Sequence, residues 1–383
     1  MSTRLGWFEL ESGQLPTEPV GSLPRPARLQ HAVLAQLAGS IDEADLQQEY
    51  DAAVKDTVDR FVATGSPIIT DGEQRRNSFA SYPVAPGTAT ASEVFAVYAD
   101  GHHRLVPKLT TSQRFSYASY AGSDVEYVRK LTDLPVKEAV VSPAMLSLMY
   151  PDSGLDGYSK AEFEEDVIAG SAADIISCFA AGASRVHVDF TEGRLALNPN
   201  SQVAWAGTAA LHGFIELLNR VLDAIPEQYR PFVGVHTCPG NDLDSSHSRD
   251  VDYAKLLPEL FQIEAGYFLV QAAGEEDPDR VANLVGQQLK QLGGARQPRI
   301  LLGVTNPTSP RLETAEEIAD QLVKASRFIP AELLGSTDDC GFSPYLVDSK
   351  PRHGSPDFAR DVAFAKIAAR VQGTAIASET LLG

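Results

Sequence analysis

Residues 232–238 read FVGVHTC, a short apolar and β-branched run that ends in histidine, threonine and cysteine. Strands buried on both faces of a parallel sheet read as near-continuous apolar runs of this kind. Seven further runs have the same form: PVGSLP (19–24), PIITDGE (67–73), VKEAVVSP (136–143), RVHVDFTE (185–192), YFLVQAAGE (267–275), RILLGVTN (299–306) and LLGSTDDCG (333–341). Polar residues gather at their carboxyl ends, which is where α/β barrels carry their active sites.

Amphipathic stretches separate most of the eight runs. They place apolar residues three and four positions apart, as in DEADLQQEYDAAVKDTVDRFVATG (42–65) and DPDRVANLVGQQLKQLG (277–293). Strands that alternate with such helices predict parallel βαβ units, and eight units predict a closed (β/α)8 TIM barrel. An open doubly wound sheet is the alternative, but no GxGxxG follows the first run to support it. We expect residues 1–383 to form a single catalytic domain.

Residues 80–132, between the second and third runs, interrupt this alternation. They contain VFAVYADGHHRLVPKL (94–109), in which an Ala-Asp-Gly turn lies between alternating apolar residues. This pattern predicts a β-hairpin, which we interpret as an insertion over the barrel mouth. His102 and His103 next to the turn are expected to be solvent-exposed.

The chain has a strongly acidic composition. Among 383 residues, 51 Asp and Glu oppose 32 Lys and Arg, which gives a formal net charge of −19. This charge argues against nucleic acids and anionic membranes as partners, because both bind basic surfaces. No apolar run is long enough to predict a membrane span, and the first residues do not resemble a secretory signal. With three cysteines we expect a reduced cytoplasmic protein, with Cys178 in a helix core; a homo-oligomer is left open.

Three residues with metal-binding side chains end two of the runs. His236 and Cys238 stand two positions apart, and Cys340 ends the last run. Alternate strand residues point to the same face, and a barrel brings its strand ends to one rim. Because zinc prefers imidazole and thiolate ligands, we predict a Zn²⁺ site, with Glu275 as a fourth or loosely held ligand. The alternatives are a buried histidine beside reduced core cysteines and, for Glu275, a solvated acid at a helix start.

Carboxylates also gather at the predicted rim, namely those of Asp71, Glu73, Asp189 and Glu192. Carboxylates aimed into a cavity hold an ammonium group or act as bases. We therefore predict catalytic roles for Glu73 and Asp189, and substrate binding by these two together with Ser22 and Glu192. The alternative is salt bridging to arginines nearby in the sequence, which are Arg75, Arg76 and Arg194.

Six motifs follow one another from about residue 17 to 372: VGSLPRP (20–26), DGEQRRNSF (71–79), VSPAMLSLMY (141–150), HVDFTEGR (187–194), VGVHTCPG (233–240) and STDDCGF (336–342). As a set they resemble the catalytic barrel of the cobalamin-independent methionine synthase family, in its short form with a single barrel. The resemblance implies zinc-dependent methyl transfer to homocysteine from a methylated tetrahydropteroyltriglutamate, with a zinc-bound thiolate as the nucleophile.

The resemblance also assigns roles to individual residues. The family's metal-binding histidine and its two cysteines match His236, Cys238 and Cys340. The residues that bind the amino acid match Ser22, Glu73 and Asp189.

Two positions depart from the family pattern. The family's fourth ligand, a glutamate, falls on Gln271, and its proton-donating histidine falls on Thr308. Methylated folate needs its leaving nitrogen protonated, so the second departure bears on the donor. A related branch, the epoxyalkane:coenzyme M transferases, opens an epoxide with a similar ligand set and would need an arginine-rich sulfonate pocket. A non-catalytic relative that binds zinc and a thiol is the third hypothesis.

Overall fold

The computed structural model describes residues 5–199, 203–294, 296–347 and 352–383. Its strands in chain order are β1 (Ala89–Val97), β2 (His103–Leu109), β3 (Val136–Val141), β4 (Ala183–Asp189), β5 (Val233–Thr237), β6 (Asn241–Asp242), β7 (Ser245–Ser246), β8 (Tyr267–Val270), β9 (Arg299–Gly303) and β10 (Leu334–Thr337). Its helices are α1 (Phe8–Glu11), α2 (Ala27–Leu37), α3 (Glu43–Thr64), α4 (Gly122–Val128), α5 (Pro143–Ser147), α6 (Lys160–Ala180), α7 (Thr191–Ala196), α8 (Thr208–Ala224), α9 (Tyr253–Leu260), α10 (Pro278–Leu292), α11 (Ala315–Ala325) and α12 (Pro356–Leu382).

Six strands form one parallel sheet in the order β10–β9–β8–β5–β4–β3. They coincide with six of the eight apolar runs. Every residue of β3, β4, β5 and β8 is buried, which explains why these runs show no alternation of apolar and polar residues. The mixed α/β class and the parallel pairing are therefore confirmed.

Neither of the first two predicted runs forms a strand; an isolated bridge lies just before the first run and another within the second. Thr17 makes a parallel bridge to Ser336 of β10, and Ile69 makes one to Val136 of β3. Two segments thus flank the opposite edges of the sheet. Instead of eight strands, the described part of the chain has six strands and these two bridged segments, and closure into a barrel stays a prediction.

The hairpin predicted within residues 80–132 is present. Strands β1 and β2 pair antiparallel with two irregularities in register, and Gly101 in the turn has φ +88°. His103 is exposed, as predicted. The prediction for His102 was wrong: its ring is half-buried, stacks on Tyr98 at 4.2 Å between centroids and contacts Asp242.

Several helices begin and end at capping residues. Asp42 caps α3 by accepting a backbone N–H, and Gly65, at φ +73°, ends it. Ser159 and Glu162 form a capping box at the start of α6. Within α6, Cys178 is a fully buried free thiol, which confirms its predicted place in the core. Within the described residues, no helix has the length and apolar content needed to cross a bilayer.

Candidate active site

His236 is the next-to-last residue of β5, and Cys238 directly follows the end of the strand. Both are buried. Pro239 and Gly240 then turn the chain away, and Gly240 has φ +66°. A Cβ at Gly240 would lie 1.8 Å from Nε2 of His247, so both the backbone angle and the close packing require glycine there.

Cys340 lies three residues after the end of β10 and is close to His236 and Cys238. Its Sγ lies 3.3 Å from Sγ of Cys238, and both thiols are free. One ligand atom from each of His236, Cys238 and Cys340 lies within 4.8 Å of the others. The structure thus brings together three of the four residues predicted as metal ligands, and we call these three the ligand triad.

The electrostatics of the ligand triad suit a cation. A hydrogen bond from Cys238 lowers the pKa of the Cys340 thiol to about 5, against the effect of burial, and His236 beside it acts in the same direction. Burial, together with Cys340, raises the pKa of the Cys238 thiol well above its usual range. Both ring nitrogens of His236 are buried and lack a well-formed hydrogen bond to the described residues. Such unsatisfied groups are costly unless a ligand occupies them.

Glu73 sits in strained backbone next to the ligand triad. It has φ +55°, which is rare for a residue with a side chain and is often found at functional sites. Its backbone N–H donates to Asp71 at 2.8 Å, and its buried Oε2 has no hydrogen bond to the described residues. Burial raises the pKa of Glu73 to about 8, and the negative charge of Asp189 adds to this effect.

Asp189 is the last residue of β4, Glu192 lies just beyond it in α7, and the pKa values of their two carboxyl groups differ. Burial acts to raise the pKa of Asp189, but a hydrogen bond from His187 at 3.2 Å and nearby positive charge outweigh it and hold that pKa below its usual range. Burial raises the pKa of Glu192 to about 7, and its Oε1 is buried without a partner among the described residues. Asp189 is therefore ionised near neutral pH, whereas Glu192 is only partly ionised there.

The arginines offered as alternative partners pair with other groups. Arg75 pairs with Asp51, Arg76 with Asp124 and Glu138, and Arg194 with Glu275. Burial raises the pKa of Asp71 to about 6, with Arg76 opposing the shift. The acids that face the ligand triad therefore are not consumed in these salt bridges.

A cavity of about 560 Å³ is lined by two members of the ligand triad, His236 and Cys340. Its floor includes Ser22, Glu73 and Asp189 with His236 and Cys340. Its walls are largely apolar. The 79–87 segment supplies Phe79 and Val84, the hairpin supplies Phe95, Tyr98 and Leu105, and Tyr345 comes from the segment after β10. Glu192 is absent from the lining, although it is next to Thr191, which contributes to it. The arrangement is that of a small-molecule site with a polar floor.

Curated relatives cover most of the chain. A methionine synthase of Sulfurisphaera tokodaii is 24% identical over 380 residues, which span 96% of this chain and 94% of that protein. A 5-methyltetrahydropteroyltriglutamate–homocysteine methyltransferase of Mycobacterium tuberculosis is 25% identical over 342 residues, which span 87% of this chain but 41% of that protein. No protein-family model matches the chain.

Solved structures of similar fold also come from methionine synthases. A B12-independent methionine synthase from Shewanella sp. W3-18-1, in complex with selenomethionine, has a TM-score of 0.70 at 20% identity and covers 96% of this chain and 99% of its own. This chain resembles the B12-independent methionine synthases. A putative methionine synthase of this kind from Listeria monocytogenes has a TM-score of 0.63 at 18% identity, covering 94% and 99% of the two chains. The resemblance predicted from the motifs is confirmed.

Both positions that depart from the methionine synthase pattern have internal partners. Gln271 is buried and its Oε1 accepts hydrogen bonds from Arg194 at 2.9 Å and from Tyr253 at 3.0 Å. The Thr308 hydroxyl donates to Asn306 at 2.7 Å. Glu275, predicted as a fourth ligand, lies outside the ligand triad and pairs with Arg194.

The sequence analysis did not predict how Asp339 supports the segment that carries Cys340. Its carboxylate accepts the backbone N–H groups of Ala272 and Ala273 at 2.8 and 2.9 Å, and of Gly274 at 2.6 Å. Burial nevertheless raises its pKa to about 7. Because Asp339 precedes Cys340, this contact fixes the loop after β8 against the loop that carries one of the ligand thiols. The consecutive acids in STDDCGF are the only sequence signal of this role.

Proposed function

We propose that the protein is a zinc-dependent thiol alkyltransferase that transfers a methyl group to homocysteine or a similar thiol. The observation that carries the proposal is the convergence of the ligand triad within 4.8 Å, with two of its members, His236 and Cys340, lining a cavity. The relatives named methionine synthase and homocysteine methyltransferase point to the same reaction.

The ligand triad fits a zinc ion. It offers one imidazole nitrogen and two sulfurs, a donor set that zinc prefers, and it leaves a position for a substrate. The unsatisfied nitrogens of His236 and the two free thiols fit the same assignment. His236, Cys238 and Cys340 would hold the ion, which would supply the positive charge that keeps a bound thiol substrate ionised, and so nucleophilic, at neutral pH.

The acids on the cavity floor would hold the amino-acid end of the thiol. Asp189, whose pKa is below its usual range, supplies a negative charge for an ammonium group. Glu73, with a pKa of about 8, is suited to hold or accept a proton near neutral pH. We assign the carboxylate end to Ser22, and a supporting polar role to Glu192.

The charges around the cavity favour an ammonium-bearing thiol over a sulfonate-bearing one. Arg104 is the cationic side chain among the described lining residues, apart from histidines. It pairs with Asp242 at 2.6 Å and stacks over the ring of Tyr345 at 3.9 Å. Nη2 of Arg104 has no hydrogen bond to the described residues, but Asp242 already offsets the charge of this guanidinium. An arginine-rich sulfonate pocket would need more than this one cation, so the epoxide-opening coenzyme M type is the less favoured alternative.

We also propose that the sheet closes into a (β/α)8 barrel that includes the hairpin insertion. Two strands separate β5 from β10. In a flat sheet, three strand spacings would put their ends about 14 Å apart. The 3.3 Å contact between Cys238 and Cys340 therefore supports a strongly curved sheet. Leu23 also donates to the Gly72 carbonyl at 3.0 Å, which links the two bridged edge segments.

The test is metal analysis and methyl transfer by the purified protein. We expect about one zinc per chain in the wild type, and loss of zinc in Cys238→Ser and Cys340→Ser. Cys178→Ala is the matched control, because that thiol lies in the core of α6 and should not affect zinc content. Stoichiometric zinc that survives both ligand substitutions would refute the proposed site.

Activity assays then distinguish the candidate thiols and alkyl donors. Homocysteine and coenzyme M are each supplied with a methylated folate or with an epoxide. We expect S-methylation of homocysteine, abolished by the two cysteine substitutions. Turnover of coenzyme M with an epoxide alone would establish the alternative reaction, and tight thiol binding without turnover of any pair would indicate a non-catalytic relative.

A further inference from the structure

Arg194 on α7 is a fully buried cation that contacts both Gln271 and Glu275. These are the two residues that the sequence offered for the fourth ligand position. Nη1 of Arg194 donates to Oε1 of Gln271 and its Nη2 to Oε1 of Glu275, each at 2.9 Å. The same Nη2 donates to the carbonyl of Val251 at 2.9 Å. The guanidinium also lies 4.3 Å from the ring centroid of Tyr253. These contacts hold the cation in one place.

Gln271 has no ligand atom left over in this arrangement. An amide binds a metal ion through its oxygen, and that oxygen has two lone-pair directions. Oε1 accepts from Arg194 at 2.9 Å and from the Tyr253 hydroxyl at 3.0 Å. Gln271 is therefore fixed with its acceptor turned to the guanidinium.

Glu275 is held by charge as well as by a hydrogen bond. Arg194 is entirely buried, and the Glu275 side chain is 19% exposed. Charge-assisted hydrogen bonds of this kind are stronger than neutral ones. Removing the carboxylate from Arg194 would leave a buried cation without its ion-pair partner, which is costly. Glu275 is thus restrained from moving to the ligand triad.

We infer that Arg194 is a positioning residue that keeps Gln271 and Glu275 out of the coordination sphere of a metal ion held by the ligand triad. This inference rests on the proposed metal site. Two cysteine sulfurs already balance the charge of a divalent cation, so an additional carboxylate would compete with a thiol substrate for the remaining position. Arg194 reserves that position for the thiol.

The experiment compares zinc and homocysteine affinities of the full chain. Zinc affinity is measured by chelator competition, and thiol binding by the sulfur-to-metal absorption of the cobalt(II)-loaded protein. Arg194→Met should bind zinc more tightly and homocysteine more weakly, each on the order of tenfold, the equivalent of about 1.4 kcal/mol. Loss of packing alone would weaken both, so the opposite signs identify positioning.

Three further variants make the result specific. Arg194→Lys keeps the cation and should retain most of the wild-type thiol affinity. The double variant Arg194→Met/Glu275→Gln should recover thiol binding, because the competing carboxylate is gone. Glu275→Gln alone should leave zinc affinity unchanged, since the restrained carboxylate contributes no ligand atom.

Two outcomes would overturn the inference without touching the proposed function. One is weaker zinc binding in Glu275→Gln, which would make Glu275 a ligand. The other is parallel weakening of zinc and thiol binding in Arg194→Met. If the wild type binds no zinc at the ligand triad, the proposed function itself fails, and that result is distinguishable from both.

Discussion

The Ser22 hydroxyl occupies space that a side chain at Gly341 would need: a Cβ there would lie 2.2 Å from Oγ of Ser22. Gly341 directly follows Cys340, and the backbone N–H of Phe342 donates to the Ser22 carbonyl at 2.8 Å. The segment after β10 is therefore packed against the first predicted run by a glycine. This contact sets the position of one ligand thiol relative to a predicted substrate-binding residue.

Gly341→Ala should destabilise the protein and weaken zinc binding. Overpacking a tight contact of this kind costs roughly 1–3 kcal/mol, and the strain would move Cys340. Urea unfolding and chelator competition measure the two effects. Ser22→Ala removes the clashing oxygen, so the double variant should recover about half of the loss.

A second glycine provides the control for this prediction. Gly213 lies in α8, and a Cβ at this position would have no described atom of another element within 4 Å. Gly213→Ala should raise the free energy of unfolding by about 0.5–1 kcal/mol, because alanine favours the helix. Equal effects of the two substitutions would mean that the Ser22 contact has no role.

Most of the parallel sheet could be predicted, because a strand buried on both faces leaves a continuous apolar run. The first two runs were predicted as strands on the same grounds, and neither forms one. Pro19 and Pro24 bound the first, and Pro67 starts the second. Proline cannot donate to a ladder of hydrogen bonds, so single bridges form in or beside these segments at the sheet edges.

The ligand triad could be predicted because its residues end strands that meet at one edge. The restraint on Glu275 could not. It depends on Arg194, which lies 81 positions away on another element, and on a hydrogen bond between their side chains. No spacing or periodicity in the sequence encodes such a contact, so the sequence indicated Glu275 only as an acid near the rim.

Removing the metal should lower the thermal stability of the wild type. A ligand that binds only the folded state stabilises it by about 2.7 kcal/mol at a hundred times its Kd. We expect the melting temperature to fall by several degrees on treatment with a chelator, as measured by calorimetry. His236→Ala should melt at the same temperature with and without chelator; a chelator effect that persists in this variant would contradict the site.

Glu73→Gln should stabilise the protein in a pH-dependent way. The pKa of Glu73 is raised by burial from 4.5 to about 8, so the folded state holds the proton more tightly than the unfolded state. The wild type therefore loses stability as pH rises from about 4.5 to 8, and the glutamine variant avoids this loss. We expect the variant to gain roughly 2–4 kcal/mol above pH 8 and little below pH 4.5.

Denaturant unfolding of the metal-free wild type and variant measures this gain across the pH range. The same substitution should weaken homocysteine binding, because Glu73 faces the ammonium subsite in our proposal. A gain that does not change with pH would show that the carboxyl is not held in its neutral form by the fold.

The hairpin over the cavity should loosen when its ion pair to the rim is removed. Asp242, in the short strand β6 that comes soon after Cys238, is fully buried. It accepts a hydrogen bond from Nε of Arg104 at 2.6 Å and contacts Nε2 of His102 at 3.1 Å. Breaking a buried pair leaves a charge without its partner. Asp242→Asn should therefore increase hydrogen exchange of β1 and β2 amides by about tenfold, with the parallel sheet unchanged.

Glu93→Gln is the matched control, because it removes an equal charge from the same hairpin. Glu93 is 46% exposed and pairs with Lys108 at 2.9 Å within the hairpin, so it does not connect the hairpin to the rim. Exposed pairs contribute little to stability, and exchange should stay close to that of the wild type. If both substitutions loosen the hairpin equally, its own strand pairing, rather than Asp242, holds it over the cavity. If only Asp242→Asn does so, the segment after Cys238 anchors the hairpin. The cover of the cavity is then coupled to the part of the chain, from His236 in β5 to Cys238 just beyond it, that supplies two of the three ligands.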